Sequence, residues 1–305
     1  MSAFTVVMAA HDTADTVAAA IRSVLAQTRD DFELIVVDDG STDGTADQVR
    51  PFLSDPRVRL IVRDHAGAAA ARGAGIAAGS APLVSLIDSD DLWLPGYLEA
   101  MGAALAAEPG ASFAYTDAWY LDDRTRRVRR VSAMGYQRPP ERAPATAAEL
   151  FTVLTERNFI YNAVTVRRAA LDVVGPPDTR LPSMIDWEWW LRLAAGGHRA
   201  VRVPGRLAIY RRRTASISHD RARVLAGQRD LWRLVAREYD LDSDTRRRLE
   251  AKAERFEREL AGLNRPLARL YRAGAALKDA LRRRRDYLRE PPAELRAALD
   301  DLSRV

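Results

Sequence analysis

Leu83-Val84-Ser85-Leu86-Ile87-Asp88-Ser89-Asp90-Asp91-Leu92-Trp93-Leu94-Pro95 is an apolar run that delivers three carboxylates to its end, where an aromatic, proline-terminated segment closes it. A short unbroken apolar run followed by polar residues reads as a buried strand. Carboxylates this close repel one another, and the cluster becomes favourable when a hard divalent cation such as Mg²⁺ or Mn²⁺ takes oxygen ligands from it. Taken alone, the same residues also read as a solvated acidic turn capping the next helix, because motifs this short recur by chance.

The segments before this strand alternate between strand-like and helix-like patterns. Phe4 to Ala9 and Phe32 to Val37 read as strands around a helix from about Thr13 to Gln27. A turn-rich segment follows from Asp38 to Thr45, then a helix to about Leu53, a strand from Val58 to Val62 and an alanine-rich helix from Gly67 to Ala78. Val17, Ile21, Val24 and Leu25 recur at helical spacing, and Asp12-Thr13 supplies cap chemistry for that first helix. Strands alternating with helices predict an α/β fold with a parallel sheet. Ligands of open α/β sheets lie outside the carboxyl ends of the strands, so Asp38-Asp39 and Asp88-Asp90-Asp91 are expected on one rim.

Beyond Pro95 the patterns predict a helix from Leu98 to Ala107, a strand from Ser112 to Tyr115, and a mobile, charged, proline-rich loop from Arg124 to Pro144. Packed structure returns at Leu150 to Leu154, at the strand-like Ala163 to Val166 and at an aromatic helix from Asp186 to Leu193. From about Asp220 the chain reads as helical and highly charged, interrupted by Pro266 and Pro291-Pro292. Residues 1–219 are therefore expected to form one domain and residues 220–305 an arginine-rich helical C-terminal extension.

At 305 residues the chain can bury a sizeable core. It has no cysteine, which excludes disulfides, thiolate catalysis and cysteine-ligated metal sites. The N-terminus lacks a basic n-region and its apolar run is too short to span a membrane, so a cytoplasmic protein is expected. The net charge is +5, with arginine blocks at Arg211-Arg212-Arg213, Arg246-Arg247-Arg248 and Arg282-Arg283-Arg284-Arg285. These blocks suit phosphorylated ligands, an anionic membrane surface at the inner face of the membrane, or a dimer contact. Interleaved acids favour an ordinary solvated helix face for the tail, and no aromatic-rich basic platform points to nucleic acid. Gly73 to Gly79 follows an alanine run instead of a strand, so it is not a dinucleotide loop. Asp39 to Gly44 lacks the closing Glu of a calcium loop, since Arg50 stands there. His11, His65, His198 and His219 have no zinc-site spacing.

Together the motifs form an ordered set that resembles the family 2 glycosyltransferases, inverting enzymes with the GT-A nucleotide-sugar fold. The set comprises Ser23-Val24-Leu25-Ala26-Gln27-Thr28, Val37-Asp38-Asp39-Gly40-Ser41-Thr42-Asp43-Gly44-Thr45, Gly67 to Arg72, and Asp88 to Pro95. Ile185-Asp186-Trp187-Glu188-Trp189-Trp190-Leu191-Arg192 and Tyr210-Arg211-Arg212-Arg213 continue it, so the resemblance covers about residues 3 to 218. It implies a GT-A nucleotide-diphospho-sugar transferase fold, with a mostly parallel central sheet flanked by helices and a C-terminal helical tail. It also implies a UDP- or dTDP-linked sugar donor, a hydroxyl-bearing acceptor, a role in polysaccharide biosynthesis, and Mg²⁺ or Mn²⁺ as cofactor.

By the same resemblance Ala10, His11, Asp12, Asp39, Arg72, Asp88 and Ser89 bind the nucleotide sugar. Asp39 would accept from the imide N–H of a uracil or thymine ring, Asp90 would bind the metal, and Asp88 would contact the ribose or a metal-bound water. Asp186 would be the base that removes the acceptor's proton, with Trp187 stacking on an acceptor sugar. Each has a plainer reading: a turn cap for Asp39, a surface charge for Arg72, a helix cap for Asp186 and core packing for Trp187. The family pattern usually has Pro, Tyr and Asn where Ala9, His11 and Asp12 stand, and a His where Arg213 stands. Base stacking would then fall to an imidazole, and Arg213 would contact phosphate instead of metal. Two other functions stay open: a non-catalytic nucleotide-sugar-binding or membrane-surface scaffold, and a sugar-phosphate nucleotidyltransferase. The second would want a glycine-rich basic first turn, which Ala9-Ala10-His11-Asp12 does not provide.

Overall fold

The computed structural model describes residues 2–123, 125–213, 220–263, 287–288 and 290–302. The N-terminal half is built from β1 (Phe4–Ala10), α1 (Val17–Leu25), β2 (Phe32–Asp39), α2 (Thr45–Val49), β3 (Val58–Arg63), α3 (Ala68–Ala78) and β4 (Leu83–Asp88). These four strands are parallel, in the spatial order β3-β2-β1-β4. Their apolar runs are continuous because the sheet is covered on both faces. Phe4, Val6 and Met8 of β1 enter one core cluster while Val7 enters another, and Leu34 and Val36 of β2 face the opposite way from Ile35 and Val37. Helix α3 lies close on β1 at Gly75, where a Cβ would run into the Val7 side chain.

The second half adds β5 (Leu92–Trp93), α4 (Tyr97–Ala107), β6 (Ala111–Asp122), β7 (Arg127–Val128), α5 (Ala133–Tyr136), α6 (Ala147–Glu156), β8 (Val164–Arg167), α7 (Arg168–Val174), α8 (Ile185–Ala195) and β9 (Arg199–Arg212). Strand β8 runs antiparallel between β4 and β6, β9 lies parallel to β6, and β5 pairs antiparallel with β9. Ser23 and Gln27 brace the segment after the acidic cluster. The Trp93 N–H donates to Ser23 Oγ at 3.2 Å, Gln27 Nε2 donates to the Leu94 carbonyl at 2.9 Å, and Gln27 Oε1 accepts from Leu98 N–H at 3.0 Å.

Three expectations change. Helix α1 begins at Val17, four residues later than expected, and Asp12 does not cap it. Asp12 has φ 49°, and its carboxylate accepts from the Thr42 N–H at 2.9 Å while its own N–H donates to Ser41 Oγ at 3.0 Å. The expected strand 112–115 extends to Asp122, because the unanticipated β9 pairs with β6 as far as Asp122↔Arg212. The expected loop from Arg124 to Pro144 contains β7 and α5. Ser132 Oγ caps α5 by accepting from Gly135 N–H at 2.9 Å, and Asp117 Oδ1 accepts from Met134 N–H at 2.9 Å.

After residue 219 the described chain forms α9 (Arg221–Glu238), α10 (Ser243–Gly262) and α11 (Ala293–Leu302). Asp220 and Asp242 cap the first two by accepting backbone N–H groups. Leu225, Leu231, Trp232, Val235, Leu249, Ala253 and Phe256 join the core cluster that holds Trp187 and Trp190 of α8. Leu295 of α11 is buried against Leu92, Leu94 and Ile209. Pro266 and the Arg282–Arg285 block lie outside the described residues. Among the described residues no helix is long and apolar enough to cross a membrane.

Candidate active site

The parallel register brings the two acidic strand ends together. Ala9 of β1 pairs with Val37 on one side and with Asp88 on the other, and Ala10 pairs with Asp38. Ala10 is buried at the end of β1, and Ser89 is buried beside Asp88. Asp38 folds back on its own turn, accepting from Ser41 N–H at 3.1 Å and from the Ser41 hydroxyl. Asp39 is only 2% exposed. Its carboxylate accepts from Gly67 N–H at 2.7 Å and Ala66 N–H at 3.2 Å, with Arg63 Nε at 3.3 Å and His65 Nδ1 at 3.0 Å. A carboxylate so placed suits the positive end of α3. A base N–H reaching Asp39 would share oxygens that two backbone N–H groups hold and the Arg63 guanidinium pairs with.

His11 stands beside Asp39, at its backbone carbonyl. Its ring stacks on that of His65 with centroids 4.1 Å apart and an interplanar angle of 27°. His11 Nδ1 lies 2.9 Å and His65 Nδ1 3.1 Å from the Asp39 carbonyl oxygen. Both rings are partly open to solvent, so the position where the family pattern carries tyrosine presents a paired imidazole surface.

At the end of β4, Asp88 Oδ1 accepts from Arg72 Nη2 at 2.6 Å and from Asn162 Nδ2 at 2.9 Å. Burial opposes the Arg72 charge, but Asp88, Asp186 and Asp90 outweigh it and hold the guanidinium protonated. Burial and the Asp88 charge push the Asp90 carboxyl up to about 6, against the opposing field of Arg213 and Arg211. Asp91 is buried deeper, and burial followed by the Asp90 and Asp88 charges pushes it well above the usual carboxylate range. It accepts from the Tyr161 hydroxyl and, at 2.9 Å, from the Arg211 N–H. The Arg211 side chain turns away to Asp123, with contacts of 2.8 and 3.2 Å. Arg213 pairs with both oxygens of Asp15, at 2.7 and 2.8 Å, on the rim that faces Asp90.

Asp186 enters from α8. The helix starts after Met184, which has φ 61°, so Asp186 lies in the first turn and is not the cap. Asp186 Oδ2 accepts from Asn158 Nδ2 at 3.2 Å. Burial raises its carboxyl, and Arg72 opposes that rise. Arg72 is thus the cation between the strand-end acids and the helix acid. Trp187 corrects the acceptor-stacking expectation. It is 7% exposed, its indole N–H donates to the Leu154 carbonyl at 2.8 Å, and its ring meets Trp232 edge-on at 5.0 Å. Such a ring fills the core and offers no face to a sugar.

Asp88, Asp90, Arg72 and Asp186 therefore converge, while Asp39 and His11 form a neighbouring corner and Trp187 drops out. Among the described residues no group of three or more His, Cys, Asp or Glu side chains is arranged to hold a metal ion. The donor set nevertheless fits Mg²⁺ or Mn²⁺ held through Asp90, with or without Asp88, plus phosphate oxygens of a ligand, because such cations commonly bind through one or two carboxylates and substrate phosphates. Sequence reasoning missed Asn158, Tyr161 and Asn162. Polar side chains spaced through Asn158-Phe159-Ile160-Tyr161-Asn162, directly before a strand, were the available signal.

A model of the family described as Glycosyl transferase family 2 matches residues 5–172. Over 111 residues the chain is 37% identical to the UDP-Glc:alpha-D-GlcNAc-diphosphoundecaprenol beta-1,3-glucosyltransferase WfgD of Escherichia coli, covering 36% of this chain and 43% of that protein. Over 172 residues it is 37% identical to the succinoglycan biosynthesis protein ExoO of Rhizobium meliloti (strain 1021), covering 55% of this chain and 48% of that one. The chain thus spans about half the length of these curated relatives. Among solved structures, S. aureus TarS 1-349 in complex with UDP-GlcNAc superposes with a TM-score of 0.62 at 15% identity, over 84% of this chain and 72% of that one. The mannosyltransferase PcManGT from Pyrobaculum calidifontis, in complex with GDP-Man and Mn²⁺, gives 0.60 at 18% identity, over 99% and 86%. Both are likenesses of fold, and they match the α/β GT-A architecture with its mostly parallel sheet.

Proposed function

The chain belongs to glycosyl transferase family 2, and we propose that it moves one sugar, with inversion, from a nucleoside-diphosphate donor to a hydroxyl group. The donor is a UDP- or dTDP-sugar, and the acceptor a saccharide, a lipid-linked saccharide or a natural product. The observation that carries this reading is the convergence of Asp88, Asp90 and Asp186 around Arg72 at the carboxyl ends of the strands.

In the proposed reaction the acceptor oxygen attacks the anomeric carbon, the bond from that carbon to the diphosphate oxygen breaks, and Asp186 takes the acceptor's proton. Burial raises the Asp186 carboxyl, which makes its carboxylate a stronger base, and Arg72 opposes part of that rise. Asp88 faces the ribose side, His11 and His65 offer the base a stacking surface, and Asp39 reads the base edge. Arg72 and Arg213 bring positive charge toward the departing diphosphate. Mg²⁺ or Mn²⁺ bound at Asp90 would supply further neutralisation of that leaving group.

The proposal extends to the whole chain. Residues 1–219 form the transferase domain, and 220–305 an extension that brings the protein to the inner face of a membrane or to a second copy. Thermal denaturation across UDP, dTDP and GDP, with and without Mn²⁺, tests the donor site, because a ligand that binds only the folded state raises the midpoint by mass action. UDP or dTDP with Mn²⁺ is expected to give the largest rise. No rise with any nucleotide overturns the reading.

A further inference from the structure

Asp88 at the end of β4, Asp91 in the turn after it and Asp186 in α8 are all held by a single five-residue stretch. Asn158 Nδ2 donates to Asp186 Oδ2 at 3.2 Å, the Tyr161 hydroxyl donates to Asp91 Oδ2, and Asn162 Nδ2 donates to Asp88 Oδ1 at 2.9 Å. In each asparagine the amide nitrogen must be the atom facing the carboxylate, since an amide oxygen there would set acceptor against acceptor.

We propose that residues 158–162 act as a positioning clip, in which Asn158 orients the acceptor-side carboxylate of Asp186 while Asn162 orients the donor-side carboxylate of Asp88. The inference rests on the transferase reading above and adds residues that the motif pattern does not contain.

The stretch is built to be stiff. Phe159 and Ile160 are buried, and the Phe159 ring meets Tyr115 edge-on at 5.8 Å. Tyr161 packs edge-on against Tyr210 of β9 at 5.5 Å. Asn158 is fixed by its own backbone, because its Oδ1 accepts from Ile160 N–H at 3.3 Å. With that oxygen engaged, Nδ2 has one direction left, toward Asp186. Asn158 thereby holds one Asp186 oxygen, and the Trp187 N–H donates to the same carboxylate.

Asn162 is 8% exposed and lies two residues before the start of β8. Its Nδ2 and Arg72 Nη2 share Asp88 Oδ1, which leaves Asp88 Oδ2 for the donor. Asn162 Oδ1 is buried without a hydrogen-bond partner, an acceptor on the same side chain that faces the donor carboxylate. The charged groups whose fields act most on Asp186 are Arg72 of α3 and Asp88 of β4. The neutral Asn158 can therefore be removed without altering the charge around the base.

The test separates the two halves of the clip. Asn158→Ala and Asn162→Ala are compared with the parent protein, with Asn158→Ser and Asn162→Ser as smaller changes should an alanine variant fail to fold. The Asp186 carboxyl is titrated by ¹³C NMR, its signal assigned by loss in Asp186→Asn, and UDP affinity is measured by calorimetry in Mn²⁺. Asn158→Ala should raise the Asp186 midpoint by about one pH unit, because a donor to the ionised form has been lost, and leave UDP affinity unchanged. Asn162→Ala should weaken UDP by about tenfold and leave the Asp186 midpoint in place. Both variants moving both readings together, or neither moving its own, overturns the clip. Neither reading requires sugar transfer. A parent protein without turnover would refute the transferase reading while the Asp186 titration still decides the clip.

Discussion

Arg72 Nη2 lies 2.6 Å from Asp88 Oδ1, and the same guanidinium carries its charge to Asp186, so one cation links the donor carboxylate to the proposed base. Removing it leaves the charges of Asp88 and Asp186 without the cation that opposes them. Arg72→Ala is expected to lower kcat/KM by roughly 100-fold or more, on the scale of a lost charge-assisted hydrogen bond together with a base driven toward its protonated form. Arg72→Lys should recover only part of this, since a shorter ammonium would not reproduce the guanidinium's close contact with Asp88. Steady-state kinetics on the two variants checks this. Equal activity in Arg72→Ala and the parent would remove Arg72 from the site.

Asp90 gives the metal dependence a direction in pH. With its carboxyl near 6 in the free protein, a cation must displace a proton below that value and none above it. Mn²⁺ affinity should be full above about pH 6.5 and fall by about tenfold per unit below pH 6. Stability without metal should run the other way. A carboxyl raised above its unfolded value favours the folded state at low pH, and that contribution is lost as pH rises through about 6. Calorimetric Mn²⁺ titrations at several pH values, beside melting curves without metal, read both slopes.

Asp39 holds together the turn between β3 and α3. Asp39→Asn keeps the shape but turns an amide toward N–H donors and leaves Arg63 without its carboxylate. A cost of about 3 kcal/mol is expected, as for one partner removed from a buried ion pair. Nucleotide binding should weaken beyond what the lost stability explains. Urea unfolding and UDP calorimetry on one sample separate the two effects.

Trp187 predicts the behaviour of the C-terminal extension. Its ring packs on Trp232 of α9, so Trp187→Ala should cost about 3 to 5 kcal/mol through an unfilled core, with the remaining folded fraction still binding UDP. Deleting residues 220–305 uncovers the same surface and should give an insoluble product. A soluble, cooperatively folded 1–219 fragment would contradict this packing.

The α/β class and the shared acidic rim were legible because apolar period and strand order are local properties of the sequence. The unbroken apolar runs through Met8, Ile35 and Val84 read as buried strands, and Asp39 and Asp88 end theirs. The start of α1 was not legible, since Asp12 carries good cap chemistry and only its contacts with Ser41 and Thr42, about thirty residues on, divert it. Trp187 read as sugar platform or core until α9 supplied Trp232 to cover it. Asn158 and Asn162 are ordinary turn residues by composition. Their meaning depends on Asp186 and Asp88, which only the folded sheet brings within reach.

The most direct measurement is release of nucleoside diphosphate from a panel of UDP-, dTDP- and GDP-sugars by the parent protein and by Asp90→Asn, each with Mn²⁺ and with a chelator. Release by the parent with Mn²⁺, abolished by the chelator and at least about 100-fold slower in Asp90→Asn, is the expected result. No release from any donor, together with nucleotide binding that Asp90→Asn leaves unchanged, would contradict it.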